Sequence, residues 1–246
     1  MSGDVSLSGD GSNGAAGTTA GARAPRLLVH VVAGVLRDTE GRVLLAQRPP
    51  GKHLAGGWEF PGGKLEAGET RFEALLRELQ EELGIAVAAA RPLMRVQHAY
   101  PQRDILLDVW IVTRWHGAPA GLDGQALRWC PRAELPAAGL LPADAPIVAA
   151  LVLPERLRIT DTGDYVIAEW PQPAALLRDG RLHGALCTTA AEGLAAVAAG
   201  ADFVVTRHLL ADEQVAALCA ALPAPVFARG IGLEHAWQLG ATGVCD

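Results

Sequence analysis

Three glutamates, Glu78, Glu81 and Glu82, fall within five residues of one another in the stretch GGKLEAGETRFEALLRELQEELGI, positions 62–85. On a helix, residues three and four apart are neighbours, and each like-charged pair costs about 0.2–0.5 kcal/mol. A chain that keeps three carboxylates there either leaves them in water or uses them to hold something positive. The same helix carries Phe72, Leu75, Leu76, Leu79 and Leu83 at helical spacing, a stripe expected to face a core. At 100° per residue the three glutamates occupy an adjoining sector roughly a hundred degrees wide. Glu73 and Arg77, four apart, are expected to pair on the remaining surface.

The elements around this helix read in order. Thr70 can start it and Gly84 can end it. Upstream, LLVHVVAGVL (27–36), the turn DTEG and RVLLAQR predict a strand, a hairpin and a second strand ending at Arg48. PPGKHLAGG (49–57) is a Pro/Gly loop leading into WEFPGG. Downstream, DILLDVWIVTRW (104–115) and ALRWC (126–130) read as strands, and LPADAPIVAALV (141–152) as a short helix. Together these predict one α/β domain over 26–153, a mixed sheet covered on both faces.

Composition narrows the function. Of the 246 residues, 50% are hydrophobic and 20% charged, a globular balance. A net charge of −6 supplies no basic patch for a nucleic-acid backbone, so no direct nucleic-acid binding is expected. Any link to nucleic acids runs through free nucleotides, whose phosphates a bound cation can screen. Cysteines at 130, 187, 219 and 245 form no CxxC pair and read as reduced thiols of a cytoplasmic protein. Residues 1–25, rich in Gly, Ser, Ala and Thr without an apolar core, read as a disordered tail and not a signal peptide. No apolar run approaches twenty residues, so no membrane span is expected.

From 154 the pattern changes. RLRITD and DYVIAEW are possible strands, followed by a Pro-containing joint. GALCTT, AAEGLAAVAAG, ADFVVTR, LADEQVAALCAAL, APVFARG, GLEHAWQLG and ATGVCD then alternate strand and helix. That βα rhythm belongs to a parallel sheet or barrel.

Residues 63–85 fit Gx5Ex7REUxEExGU, with U aliphatic, at Gly63, Glu69, Arg77, Glu78, Leu79, Glu81, Glu82, Gly84 and Ile85. This is the Nudix box. With GGWEFPGGKLEAGE before and across it, the region 26–152 resembles the MutT-type 8-oxo-dGTP diphosphatases, hydrolases of oxidised nucleoside triphosphates. The resemblance implies an α/β/α sandwich and Mg²⁺ as cofactor, with Mn²⁺ able to substitute. Mg²⁺ prefers carboxylate and phosphate oxygens and so reconciles a glutamate cluster with an anionic substrate. The resemblance makes Glu78, Glu81, Glu82, the Gly62 carbonyl and Asp123 metal-site residues, with Arg77 and Glu69 supporting the catalytic loop and helix. It places Arg48, His53, Glu59, Phe60, Pro61, Gly62, Arg103 and Asp144 around the nucleotide. Purine-selective members carry Asn where this chain has Asp144, and an ionised Asp accepts hydrogen bonds but cannot donate them.

The implied function is Mg²⁺-dependent conversion of 8-oxo-dGTP to 8-oxo-dGMP and pyrophosphate, cleansing the nucleotide pool against mutation, by a monomer or homodimer. The alternatives are another nucleotide substrate (an oxidised pyrimidine triphosphate, ADP-ribose or a dinucleotide) or a sensor without turnover. Residues 183–246 resemble the later strands of thiamine-phosphate-synthase-like, TenI-type barrels. RLRITD is similar to that family's first strand and FARGIG to its phosphate loop. A complete barrel needs about 200–250 residues, so 154–246 is expected to be a partial βα domain serving structure or docking.

Overall fold

The computed structural model describes residues 27–159, 163–171 and 180–246. The segment 1–25 and parts of the joints around RLRITD and the proline stretch lie outside the described residues. Two sheets make up the first half. Strands β1 (Leu28–Leu36), β4 (Gly62–Lys64), β5 (Ala86–Ala99) and β6 (Asp104–His116) form one, in the order β4-β1-β6-β5. Strands β2 (Val43–Gln47), β3 (Trp58–Glu59) and β7 (Leu127–Cys130) form the other, in the order β3-β2-β7. The first sheet is mixed, since β1 runs parallel to β6 and antiparallel to β4.

The expected hairpin between the first two strands is a corner. Asp38 does make the turn, its Oδ1 accepting the backbone N–H groups of Glu40 and Arg42 at 3.0 and 2.8 Å. Beyond a single bridge between Arg37 and Val43, however, β1 and β2 part into different sheets. β2 and the second half of β1 are buried, and each strand finds a ladder with a distant strand. The 14-residue β5, absent from the sequence reading, pairs along β6 with interruptions in register. Its Ala/Arg-rich start lacks the β-branched signal of a strand.

Helix α1 (Arg71–Leu83) begins and ends as its sequence demands. Thr70 Oγ1 accepts the Glu73 N–H at 3.2 Å and Glu73 accepts the Thr70 N–H at 2.8 Å, while Gly84 closes the helix in the left-handed conformation. Glu73 is therefore a cap and not the partner of Arg77. Leu75, Leu79 and Leu83 are fully buried against Val32, Leu36, Ile85 and Val112. Each such leucine contributes about 1.5–3 kcal/mol relative to exposure. Phe72 departs from the expected stripe: it remains 37% exposed and its ring leans on Trp110. Ala74 is buried in that turn instead. The opposite side holds α2 (Ala145–Val152), entered through a 3-10 turn at Pro142–Asp144, whose Ile147 and Leu151 pack on Val35, Leu45, Val96 and Val109.

The second half is a curled parallel sheet. Its strands are β8 (Arg156–Leu157), β9 (Tyr165–Glu169), β10 (Leu182–Cys187), β11 (Phe203–Thr206), β12 (Val226–Arg229) and β13 (Gly243–Cys245). Between them run α3 (Ala190–Ala198), α4 (Asp212–Ala221) and α5 (Leu233–Gln238). The order β8-β13-β12-β11-β10-β9 pairs the first strand with the last, as a barrel does, and leaves the sheet open between β8 and β9. Helices α4 and α5 pack on β5. Arg91 of β5 joins the halves, pairing with Glu155 at 2.7 Å and lying over the Trp237 ring at 3.8 Å.

Candidate active site

A cleft of about 670 Å³ runs beside β1 and the start of β6 to the glutamates of α1. At its acidic end Arg77 organises the carboxylates. Its guanidinium grips Glu69 at 2.7 and 3.0 Å, donates to the Lys64 carbonyl at 3.0 Å, and reaches Glu78 at 3.0 Å and Glu81 at 3.1 Å. One arginine thereby ties the loop after β4 to the helix. Glu69 is held below the usual carboxylate range by that pairing. Glu81 is 60% exposed at its side chain, whereas Glu78 is 14% exposed.

Glu82 points inward. Its Oε2 accepts the Gly62 N–H at 3.1 Å. Burial raises its pKa to about 7, and the nearby charges of Glu59 and Glu78 add to that rise. Burial also raises Glu78. Among the described residues no three acidic, histidine or cysteine groups stand preassembled as a metal cage. The donor chemistry nonetheless fits a hard cation. Two partly buried carboxylates whose charge is costly face one cleft, with Asp123 on its wall.

The two glycines before α1 set this geometry. Gly62 has φ of +150°, and a Cβ there would stand 2.1 Å from the Val32 carbonyl oxygen. A Cβ on Gly63 would stand 2.2 Å from Glu78 Oε2. That atom ends a flexible side chain, so Gly63→Ala should displace the carboxylate more than the fold. We expect turnover to fall by about a hundredfold with little change in Tm. Steady-state kinetics with a melting curve checks this, and unchanged turnover would remove Glu78 from the reacting centre.

At the other end stand Arg48, His53, Glu59, Phe60, Tyr100, Arg103 and Asp144. Arg48 directly follows β2 and is already engaged, donating to Glu59 and, at 2.7 Å, to the His53 carbonyl. It braces the pocket wall before it could meet any base. Asp144 sits just before α2, 4% exposed, and its buried Oδ2 has no hydrogen-bond partner. Burial, reinforced by Glu59, pushes its pKa well above the usual carboxylate value. Burial thus works against the ionised, accept-only form of Asp144 and toward the protonated acid, which donates as well as accepts. Tyr100, missed in the sequence, contacts the rings of His53 and His98 beside this pocket. An aromatic just before a turn is too common a signal to single out. Glu69 and Pro61 do not line the cleft. The former serves Arg77, and the carbonyl of the latter accepts the Gly34 N–H at 2.9 Å.

The NUDIX domain family profile matches residues 32–150. An 8-oxo-dGTP diphosphatase of Escherichia coli (strain K12) is 37% identical over 123 residues, which is 50% of this chain and 95% of that protein. The chain belongs to the Nudix family. An 8-oxo-dGTP diphosphatase of Proteus vulgaris is 52% identical over 87 residues, 35% of this chain and 78% of its own length. A CTP pyrophosphohydrolase of Escherichia coli (strain K12) is 39% identical over 134 residues, 54% of this chain and 98% of that protein. As a Nudix hydrolase the chain works on a nucleotide, and members generally use divalent metal ions. Helix α1 with its preceding loop carries the Nudix box, and its Glu78, Glu81 and Glu82 line the cleft.

Proposed function

We propose that this protein is a Mg²⁺-dependent nucleoside triphosphate diphosphatase that prefers oxidised nucleotides, 8-oxo-dGTP foremost. Its products would be the nucleoside monophosphate and pyrophosphate. The observation that carries the reading is one continuous cleft with a costly acidic patch at one end and, at the other, the buried Asp144 Oδ2 without a hydrogen-bond partner. The 8-oxo-dGTP diphosphatases among its relatives support the same substrate. Glu78, Glu81, Glu82, Asp123 and the Gly62 carbonyl would hold Mg²⁺, which supplies charge neutralisation and activation of water. Arg77 and Glu69 keep the carboxylates placed, while Phe60 and Tyr100 offer faces for a base. Arg103 on the cleft wall would reach the nucleotide.

The likeness to a CTP pyrophosphohydrolase favours one second reading, a pyrimidine triphosphate as substrate. Initial rates on 8-oxo-dGTP, dGTP, CTP, oxidised pyrimidine triphosphates and ADP-ribose, with product analysis, decide between them. A kcat/KM for dGTP or CTP equal to that for 8-oxo-dGTP would overturn the preference for oxidised guanine. We further propose that the protein cleanses the nucleotide pool in the cytoplasm, as monomer or homodimer. No helix among the described residues is long and apolar enough to cross a membrane.

The division into a Nudix domain over 26–153 and a partial βα domain over 154–246 is likewise our proposal, with the second unit serving structure rather than chemistry. The open β8/β9 edge supports it. A protein ending at residue 153 should keep its hydrolase activity but lose the Glu155 and Trp237 contacts of Arg91. Losing about 1–2 kcal/mol there would lower Tm by several degrees. Loss of hydrolysis in a folded truncated protein, or formation of thiamine phosphate by the full chain, would refute this division.

A further inference from the structure

We infer that the junction between the two halves contains a second ligand site, suited to a small organic oxyanion, a carboxylate or phosphate monoester carried on an apolar body. A cavity of about 260 Å³ lies where β5, β6 and the first residue of α1 meet α4 and the turn at Leu239 and Gly240. At its polar end Asp108, only 5% exposed, accepts Arg71 at 2.9 Å and Arg95 at 3.0 Å, and His30 as a third partner. Two guanidiniums against one carboxylate leave an excess positive charge.

Each guanidinium has five N–H donors in a planar fork that matches carboxylate and phosphate oxygens. Among the described residues, Arg71 and Arg95 each commit a single nitrogen, to Asp108. Their remaining donors have no hydrogen-bond acceptor among the described residues, and both residues line the cavity. Asp108 serves to hold the two forks in place, as a buried anion does for the cations around it. The other walls are apolar, with Met94, Trp110 and Leu239 among them. Anion-binding donors beside an apolar wall define the ligand class.

The site is separate from the nucleotide cleft. Successive strand residues point to opposite faces, and on β6 Leu107 lines the cleft while Asp108 lines the junction. At about 260 Å³ the cavity also lies just below the usual range of about 300–1,000 Å³ for ligand pockets, so its occupant is smaller than a nucleotide.

The test is calorimetric titration of the full chain with phenyl phosphate, benzoate, inorganic phosphate and phenol. Phenyl phosphate or benzoate should bind one to one, and more tightly than either inorganic phosphate or phenol. The stronger of the two identifies the oxyanion. Arg95→Gln should weaken binding by about tenfold or more while leaving hydrolysis intact. Because that change also disturbs Asp108, Ala216→Leu provides an independent variant. It fills the cavity without touching the arginines, and should abolish binding. Glu82→Gln should bind like the parent, which separates this site from the proposed nucleotide reaction. The inference is overturned if neither aryl oxyanion binds below about 10 mM, if Ala216→Leu leaves binding intact, or if a nucleoside triphosphate displaces the probe competitively.

Discussion

Glu82→Gln is expected to slow hydrolysis at least about a hundredfold while leaving a protein that folds as well as the parent, or better. Glutamine keeps the shape and the oxygen that accepts the Gly62 N–H. What it removes is the charge, which burial, Glu59 and Glu78 make expensive in the metal-free protein. The sign of the stability effect follows. A carboxyl whose folded pKa is raised from 4.5 to about 7 keeps its proton in the native state after the unfolded chain has released it. Stability therefore falls as pH rises through that window. Melting the metal-free parent between pH 4.5 and 7 should show the fall, and Glu82→Gln should flatten it. Mg²⁺ at pH 8 should raise the parent's Tm more than the variant's, because binding to the native state alone stabilises it. A folded Glu82→Gln protein with near-normal kcat at limiting Mg²⁺ would remove Glu82 from the metal site.

Asp144 should carry the second large effect, on selectivity. A protonated acid and an amide both present a donor and an acceptor, so Asp144→Asn is expected to resemble the parent on the low-pH side of Asp144's raised pKa. Asp144→Leu leaves the polar edge of a bound base unmatched. An unpaired buried group costs about 1–3 kcal/mol, so the preference for 8-oxo-dGTP over dGTP should shrink roughly ten- to a hundredfold. As pH rises through its elevated pKa, the parent should lose the proton and with it the donor, so its selectivity should decline. The Asn variant should not follow. The same raised pKa gives Asp144 a stability contribution that diminishes with increasing pH, with the sign found for Glu82. The measurement is kcat/KM for 8-oxo-dGTP, dGTP and CTP across pH. An Asp144→Asn protein as unselective as Asp144→Leu at every pH would show that this position does not read the base.

What could be read from the sequence was local. The capping of α1 by Thr70, its end at Gly84 and its buried Leu75, Leu79 and Leu83 follow from spacing, because neighbours three and four apart on a helix meet whatever the rest of the chain does. The spacing of Gly63, Glu69, Arg77, Glu78 and Glu82 is legible for the same reason, as loop and helix bring them together over a short span. The alternation of strand and helix after residue 154 likewise announced a parallel sheet, since β-branched runs and small-residue helices carry their periods in themselves. Tertiary structure decided the rest. Whether β1 and β2 form a hairpin or a corner depends on which distant strands offer them ladders. The pairing of Arg77 with Glu69, and not with the sequence-adjacent choice of Glu73, depends on where the β4 loop returns. Phe72 lost its expected place: it stays partly exposed, with its ring tilted against that of Trp110. The raised pKa of Asp144 is a property of its surroundings, which pattern cannot encode: the same residue on an exposed turn would lack the burial that raises it. The donors of Arg71 and Arg95, 24 positions apart, share a cavity only because α4 and the Leu239 turn close over β5 and β6.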